Sequence, residues 1–237
     1  MAAAANVMHI FGREFRHYFI TPIAYIVISI FLILTGWFFF STFFLYNQAE
    51  LRNFFSLLPI VFSFIVPTVT MRLFAEEYNV GSYEILVTMP VTTRDVVLGK
   101  FLAAAAFTAL MLAPTLVYAI SVGLLGDLDW GPVAGGYLGA ALLGASFSAV
   151  GLFASALTKN QIIAFIIGMI ICFALTMIDK LLFFLPNSML GFFSYIGADY
   201  HFQNAAKGIL DSRDLIYFAS TIFIGLYAAF LVVEAKK

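Results

Sequence analysis

Six stretches of this chain contain no Asp, Glu, Lys, Arg or His: residues 23–46, 54–71, 101–125, 133–157, 162–178 and 215–233. Each comes close to the ~20 residues that a helix needs to cross the hydrocarbon of a bilayer. Their apolar pattern is continuous, not alternating. Hydrocarbon offers backbone amides no partner, so continuous runs of this kind have to be helical. The pattern predicts an all-α membrane protein with six transmembrane helices. With their polar ends these spans run at about 23–46, 54–75, 96–125, 133–157, 161–178 and 213–234 of a single membrane domain, 1–237. Charged residues make up 11% of the chain, against roughly 25% in a soluble domain. The net charge of -1 argues against nucleic acid as a partner. The lone Cys172 sits in an apolar run, excludes an internal disulfide and reads as a buried structural thiol. With no cleavable signal peptide visible, the first span is expected to act as its own insertion signal.

Lys and Arg in the flanks set the orientation. With both termini in the cytoplasm, the inside holds Arg13, Arg16, Arg72, Arg94, Lys100, Lys159, Lys236 and Lys237, and the outside Arg52, Lys180, Lys207 and Arg213. That is eight against four. Residues 6–20 read as an interfacial helix in the lipid headgroup layer, with Val7, Phe11, Phe15 and Tyr18 at helical spacing. Arg13, Glu14, Arg16 and His17 fall mainly on its other faces, so Phe11, Arg13, Phe15 and Arg16 are candidate membrane-lipid contacts. Thr21-Pro22 is expected to start the first span, with Thr21 as N-cap and Pro22 at the first helical position.

The fourth span carries Gly135, Gly136, Gly139, Ala140, Gly144, Ser148, Gly151 and Ser155, many three or four apart. Small residues at that spacing let helices approach closely. Gly136, Ala140, Gly144 and Ser148 are candidate packing positions, within the chain or at a dimer seam. Residues 179–214 read as an outer segment with short helices on or in the outer leaflet, ending in the capping-type run Asp211-Ser212-Arg213-Asp214. Asp179 and Lys180 read as a snorkelling interfacial pair.

Between the second and third spans lies a polar interruption, residues 72–100, holding Arg72, Glu76, Glu77, Glu84, Arg94, Asp95 and Lys100. A mere connector needs only a few residues. The second span is expected to continue as helix past Tyr78 and stop at Gly81, suited to the left-handed C-terminal position. Ser82 to Met89 forms a second short helix closed by Pro90. Thr92-x-x-Asp95 is a capping box that launches the third span. Glu76, Glu77, Tyr83 and Glu84 are expected on the exposed side. Carboxylates gain nothing at an acidic lipid surface, so this helix suits a protein pocket offering cationic or amide donors.

The chain has no P-loop motif, no Cys/His cluster and no histidine in the charge-free stretches. ATP binding by a P-loop, zinc and bis-histidine haem are therefore not expected. Mid-membrane ionisable groups, which ion-coupled carriers usually keep, are missing too. Any work done must come from another protein.

The run Arg-Leu-Phe-Ala-Glu-Glu-x-x-x-Gly-Ser-x-Glu-x-Leu-x-Thr-x-Pro-Val-x-x-x-x-x-Val-Leu-Gly-Lys, residues 72–100, resembles the signature of the type-2 ABC exporter permeases. It is most similar to the branch with the gliding-motility permease and the copper-processing permease of nitrous-oxide respiration. Residues 201–218, His-Phe-Gln-Asn-Ala-Ala-Lys-Gly-Ile-Leu-Asp-Ser-Arg-Asp-Leu-Ile-Tyr-Phe, resemble that branch as well. The resemblance implies a permease subunit of the bacterial inner membrane, without catalytic activity or cofactor of its own. Its coupling helix, Gly81–Pro90, would dock into a separate ABC ATPase subunit. Glu76, Glu77, Gly81, Ser82, Tyr83, Glu84, Leu86 and Pro90 would form that contact, Glu84 matching the family's glutamate. The N-terminal helix would be the connecting helix, and two ATPases would serve two copies of this permease or this one and a homologue. Tyr78-Asn79 departs from the charged residues often found there. The alternative is a non-transporting anchor or assembly module of an envelope machine.

Overall fold

A computed structural model describes residues 2–46, 50–83, 91–181, 195–209 and 211–236. The described residues are helical with no strand, and six helical stretches are long and apolar enough to cross a membrane. The chain is a multi-pass membrane protein. Helix α1 (Ala2–Ile20) precedes α2 (Ile23–Tyr46), the first span. Helices α3 (Arg52–Thr70) and α4 (Arg72–Val80) make the second span, broken at Met71. The third is α5 (Thr93–Leu112), a 3-10 turn at Ala113–Thr115 and α6 (Leu116–Leu125). Then follow α7 (Trp130–Leu157), α8 (Gln161–Leu181), the short α9 (Ala198–Ala206) and α10 (Ser212–Ala235).

Small side chains put α7 at the centre. Its most apolar stretch is 72% buried, against 22% in α8 and α10 and 28% in α2. A side chain at Gly136 would run into the Phe55 ring of α3, and one at Gly151 into Thr70. At Gly144 it would meet Phe62 and Thr108, at Gly139 Ala205 of α9. Ala140 and Ser148 are fully buried, and the Ser148 hydroxyl donates to Gly144 O at 2.7 Å. Intrachain packing thus occupies every one of the candidate packing positions. The outward sides of α2 and α10 instead expose Ile33, Trp37, Ile216 and Phe223, as helices against lipid do. Cys172 is free and fully buried.

Both ends of the bundle are built by local chemistry. Gly81 ends α4 with φ 78°, in the left-handed region open to glycine. Thr92 starts α5 through the expected capping box: its hydroxyl accepts from Asp95 N, and the Asp95 carboxylate accepts from Thr92 N. Asp211 caps α10 by accepting from Arg213 N at 3.1 Å, and this contact holds its carboxyl pKa below the usual value. Thr21 differs from expectation. Its hydroxyl turns back to donate to Tyr18 O at 3.1 Å and to His17 O at 3.3 Å. It serves the orphan carbonyls at the C-terminus of α1, leaving Pro22 O to accept from Ile26 N in the first turn of α2. The segment 84–90, which holds most of the expected coupling helix, and residues 182–194, part of the expected outer helices, lie outside the described residues.

Candidate functional site at the α1 end of the bundle

One end of the bundle gathers α1, α4, the start of α5 and the final turn of α10. Lys100 is its centre. The residue is fully buried, and its Nζ donates to Glu77 Oε1 of α4 at 2.7 Å and to Glu14 Oε1 of α1 at 3.1 Å. It also lies 5.3 Å above the Phe74 ring. A buried ammonium is tolerated only when paired and hydrogen-bonded, and here two carboxylates from two helices do this. Glu14 is pulled both ways. Burial raises its pKa, but Lys100 and Arg13 outweigh burial and hold it below the ordinary range. Gly99 lets α1 come close enough: a Cβ there would meet Ile10 at 2.7 Å and Val7 O at 3.1 Å.

These contacts correct two expectations. Glu76 and Glu77 do not stand free: Arg72 grips Glu76 bidentately at 2.7 and 2.8 Å, and Glu77 is spent on Lys100. The helical spans are also not free of ionisable groups. The third begins at Thr93, ahead of the charge-free stretch, and thereby includes the buried Asp95 and Lys100.

The break between α3 and α4 is satisfied by α7. Ser155 Oγ accepts from Phe74 N at 3.0 Å and Ala75 N at 3.1 Å, and donates to Met71 O at 2.8 Å. These are the orphan groups that a helix break leaves. Tyr78 stacks on Phe74, and Lys236 lies 4.5 Å above the Tyr78 ring. The Lys236 ammonium donates to Ala156 O at 2.6 Å and Leu157 O at 3.0 Å, closing the C-terminal end of α7. Its burial there, with Lys159 nearby, lowers its pKa.

The stems of the 84–90 segment converge on one helix. On one side Tyr83 is buried (8% exposed), its ring edge-on to Tyr78, and its hydroxyl donates to Val233 O at 3.3 Å. Burial, with Glu234 and Glu77 nearby, raises the Tyr83 pKa. It had been expected on the exposed side. An aromatic ring there finds more apolar surface at the end of α10 than water offers. On the other side Thr93 donates to Glu234 Oε2 at 2.6 Å, and Arg94 lies 5.5 Å above the Phe230 ring. Gly81 and Ser82 are exposed, whereas Glu84, Leu86 and Pro90 lie outside the described residues. Between α1 and α4 opens a cleft of about 900 Å³, lined in part by Arg13, Arg16, Arg72 and Ser82. Phe11 and Phe15 stack on one another at 5.6 Å along α1.

The opposite, α9 end carries a second polar cluster that spacing alone had not shown. His201 is buried, with Nδ1 2.6 Å from Asp214 Oδ1, Nε2 3.2 Å from Tyr195 O and its ring stacked on Tyr217 at 4.2 Å. Asp179 and Lys180 do not snorkel as a pair. Asp179 accepts from Tyr200 N, and Lys180 donates to Asp199 at 3.0 Å, so both fasten α8 to α9. Among the described residues no three His, Cys, Asp or Glu side chains converge as a bound metal would need.

A search of curated proteins returns no match to this chain. A family model, ABC-2 family transporter protein, does match it, over residues 15–229. That stretch includes five spans whole and most of the sixth, together with Lys100 and the whole 72–100 interruption, and family members of this kind are membrane components of transport, not themselves catalysts. The chain therefore belongs to the ABC-2 transporter family, as a permease subunit of an ABC transporter.

Proposed function

We propose that this permease is driven by a separate ATPase that docks on the 81–92 segment, and that the α1 end of the bundle faces the cytoplasm of a bacterial inner membrane. Two ATPases would act on two permeases, a pair of this chain or this chain with a homologue. Glu84, Leu86 and Pro90 would present the docking face, with Gly81 and Ser82 at its start. Glu76, Glu77 and Tyr83 would serve the contact by fixing the stem from within. In the membrane, Phe11, Phe15 and the arginines of α1 would hold the interfacial helix, as in the gliding-motility and copper-processing branch that the motif resembles. The excess of Lys and Arg at this end supports the orientation.

The single observation that carries the reading is the anchoring of both stems on the last turn of α10, through Tyr83–Val233 and Thr93–Glu234. Lys100 meanwhile ties α4, α5 and α1 together. ATP binding closes the ATPase pair and displaces the segment, and the displacement is delivered to the second, third and sixth spans at once. The test is Glu84→Lys in the full chain. It is expected to leave membrane insertion intact and to reduce the co-purified ATPase about thirtyfold or more, the equivalent of at least about 2 kcal/mol for a stranded charge partner. Undiminished ATPase in the purified complex contradicts the docking assignment.

A further inference from the structure

We propose that the cleft between α1 and α4 is a binding site for the phosphate headgroup of an anionic phospholipid. The argument begins with the division of α1 into two faces. Val7, Ile10, Glu14 and Tyr18 fall on one side at helical spacing, and there Ile10 meets Gly99, Glu14 meets Lys100, and the Tyr18 hydroxyl donates to Val69 O. His9, Arg13, Arg16, His17 and Ile20 fall on another, and all five line the cleft. That stripe holds two arginines, two histidines and no acid.

Each acid of the cleft is paired with a cation, although Glu77 keeps one buried oxygen, Oε2, without a hydrogen-bond partner. Glu14 and Glu77 share Lys100, Arg13 also bonds Glu14 at 2.8 Å, and Arg72 holds Glu76. The side chains of Arg16, His9 and His17 make no hydrogen bond or ion pair with the described residues. The cleft therefore presents an uncommitted guanidinium with two imidazoles beside it. An arginine fork suits a phosphate oxygen pair.

The position of the cleft selects a lipid over a soluble anion. The first membrane span starts at Ile23, three residues after the end of α1 at Ile20, so the stripe lies at the level where hydrocarbon meets headgroups. Three apolar side chains of its lining stand open: Ile20 is 69%, Met8 64% and Val80 72% exposed. Acyl chains cover such side chains while the headgroup reaches the arginines. At about 900 Å³ the cleft is large enough for a headgroup with part of its glycerol.

The test uses the full chain, purified in mild detergent and exposed to mixed micelles of phosphatidylglycerol and phosphatidylcholine, with retained lipid counted by native mass spectrometry. The wild type is expected to retain phosphatidylglycerol in preference. Arg16→Gln, which breaks no contact in the fold, is expected to lower that retention roughly fivefold, the worth of one surface cation near anionic lipid. Arg16→Lys should restore most of it, and Lys207→Gln at the far end should leave it unchanged. Inorganic phosphate at millimolar concentration should not displace the lipid. Equal retention of both lipids, wild-type retention by Arg16→Gln, or full displacement by phosphate overturns the proposal. If Arg16→Gln keeps its lipid but loses the ATPase, the cleft is a protein interface and the proposal fails, while the docking reading stands.

Discussion

Lys100 shows how one residue can tie three elements that local pattern keeps apart. Its partners lie 86 and 23 residues away in sequence. Lys100→Met strands two carboxylates beside each other, and loss of one partner of a buried pair costs about 3–5 kcal/mol. A lower mole fraction of SDS at the unfolding midpoint is the expected result. Adding Glu14→Gln and Glu77→Gln should recover much of the loss, since an uncharged set leaves no unpaired charge. Glu14 also gives a pH dependence. Its pKa is lower in the folded protein than its ordinary 4.5. Its contribution is therefore present in full above that range and is lost as pH falls through the folded value. Below about pH 4.5 the midpoints of the wild type and Glu14→Gln should converge. A constant gap down to strong acid would contradict the pairing.

Among the elements, α7 organises the rest because its glycines and serines let its neighbours approach closely. Gly151→Leu drives a side chain into Thr70 at the α3–α4 break and is expected to destabilise the fold by about 1–3 kcal/mol, as overpacking does. Gly123→Leu, whose added Cβ comes nearest to the Trp130 and Leu128 side chains at 3.3 Å and beyond, is the milder control on α6. Unfolding midpoints of both variants, measured side by side, check the order. The spans themselves were legible in the sequence, because hydrocarbon leaves a charge-free run of this length little choice but a helix. So were the Gly81 stop and the Thr92 capping box, each fixed within four residues. What was not legible was the fate of the charges. Glu77 read as solvent-facing because its partner Lys100 arrives through tertiary packing, and Tyr83 is buried by α10, a helix 150 residues further on. The His201–Asp214 pair was hidden for the same reason, though Asp211 at the start of α10 could be read as a cap.

At the scale of the whole molecule, α10 joins the two polar ends. Its last turn receives the stems of the 84–90 segment through Val233 and Glu234. Its first turn carries Asp214, held to His201 of α9. A helix of 24 residues between them offers a direct route from the proposed docking segment to the α9 end of the bundle. Thr93→Val with Tyr83→Phe removes both side-chain anchors while leaving the docking face intact. That variant is expected to keep its ATPase but to lose the change in protease susceptibility at the α9 end that ATP with vanadate produces in the wild type. An unaltered response would show that α10 does not carry the motion. The central claim, that this permease is worked by a partner ATPase, is tested most directly by affinity purification of the unmodified chain from its native membranes, followed by measurement of ATP hydrolysis. The account predicts a co-purified P-loop ATPase in equal amount and vanadate-sensitive hydrolysis. A preparation with no nucleotide-binding protein and no hydrolysis would contradict it.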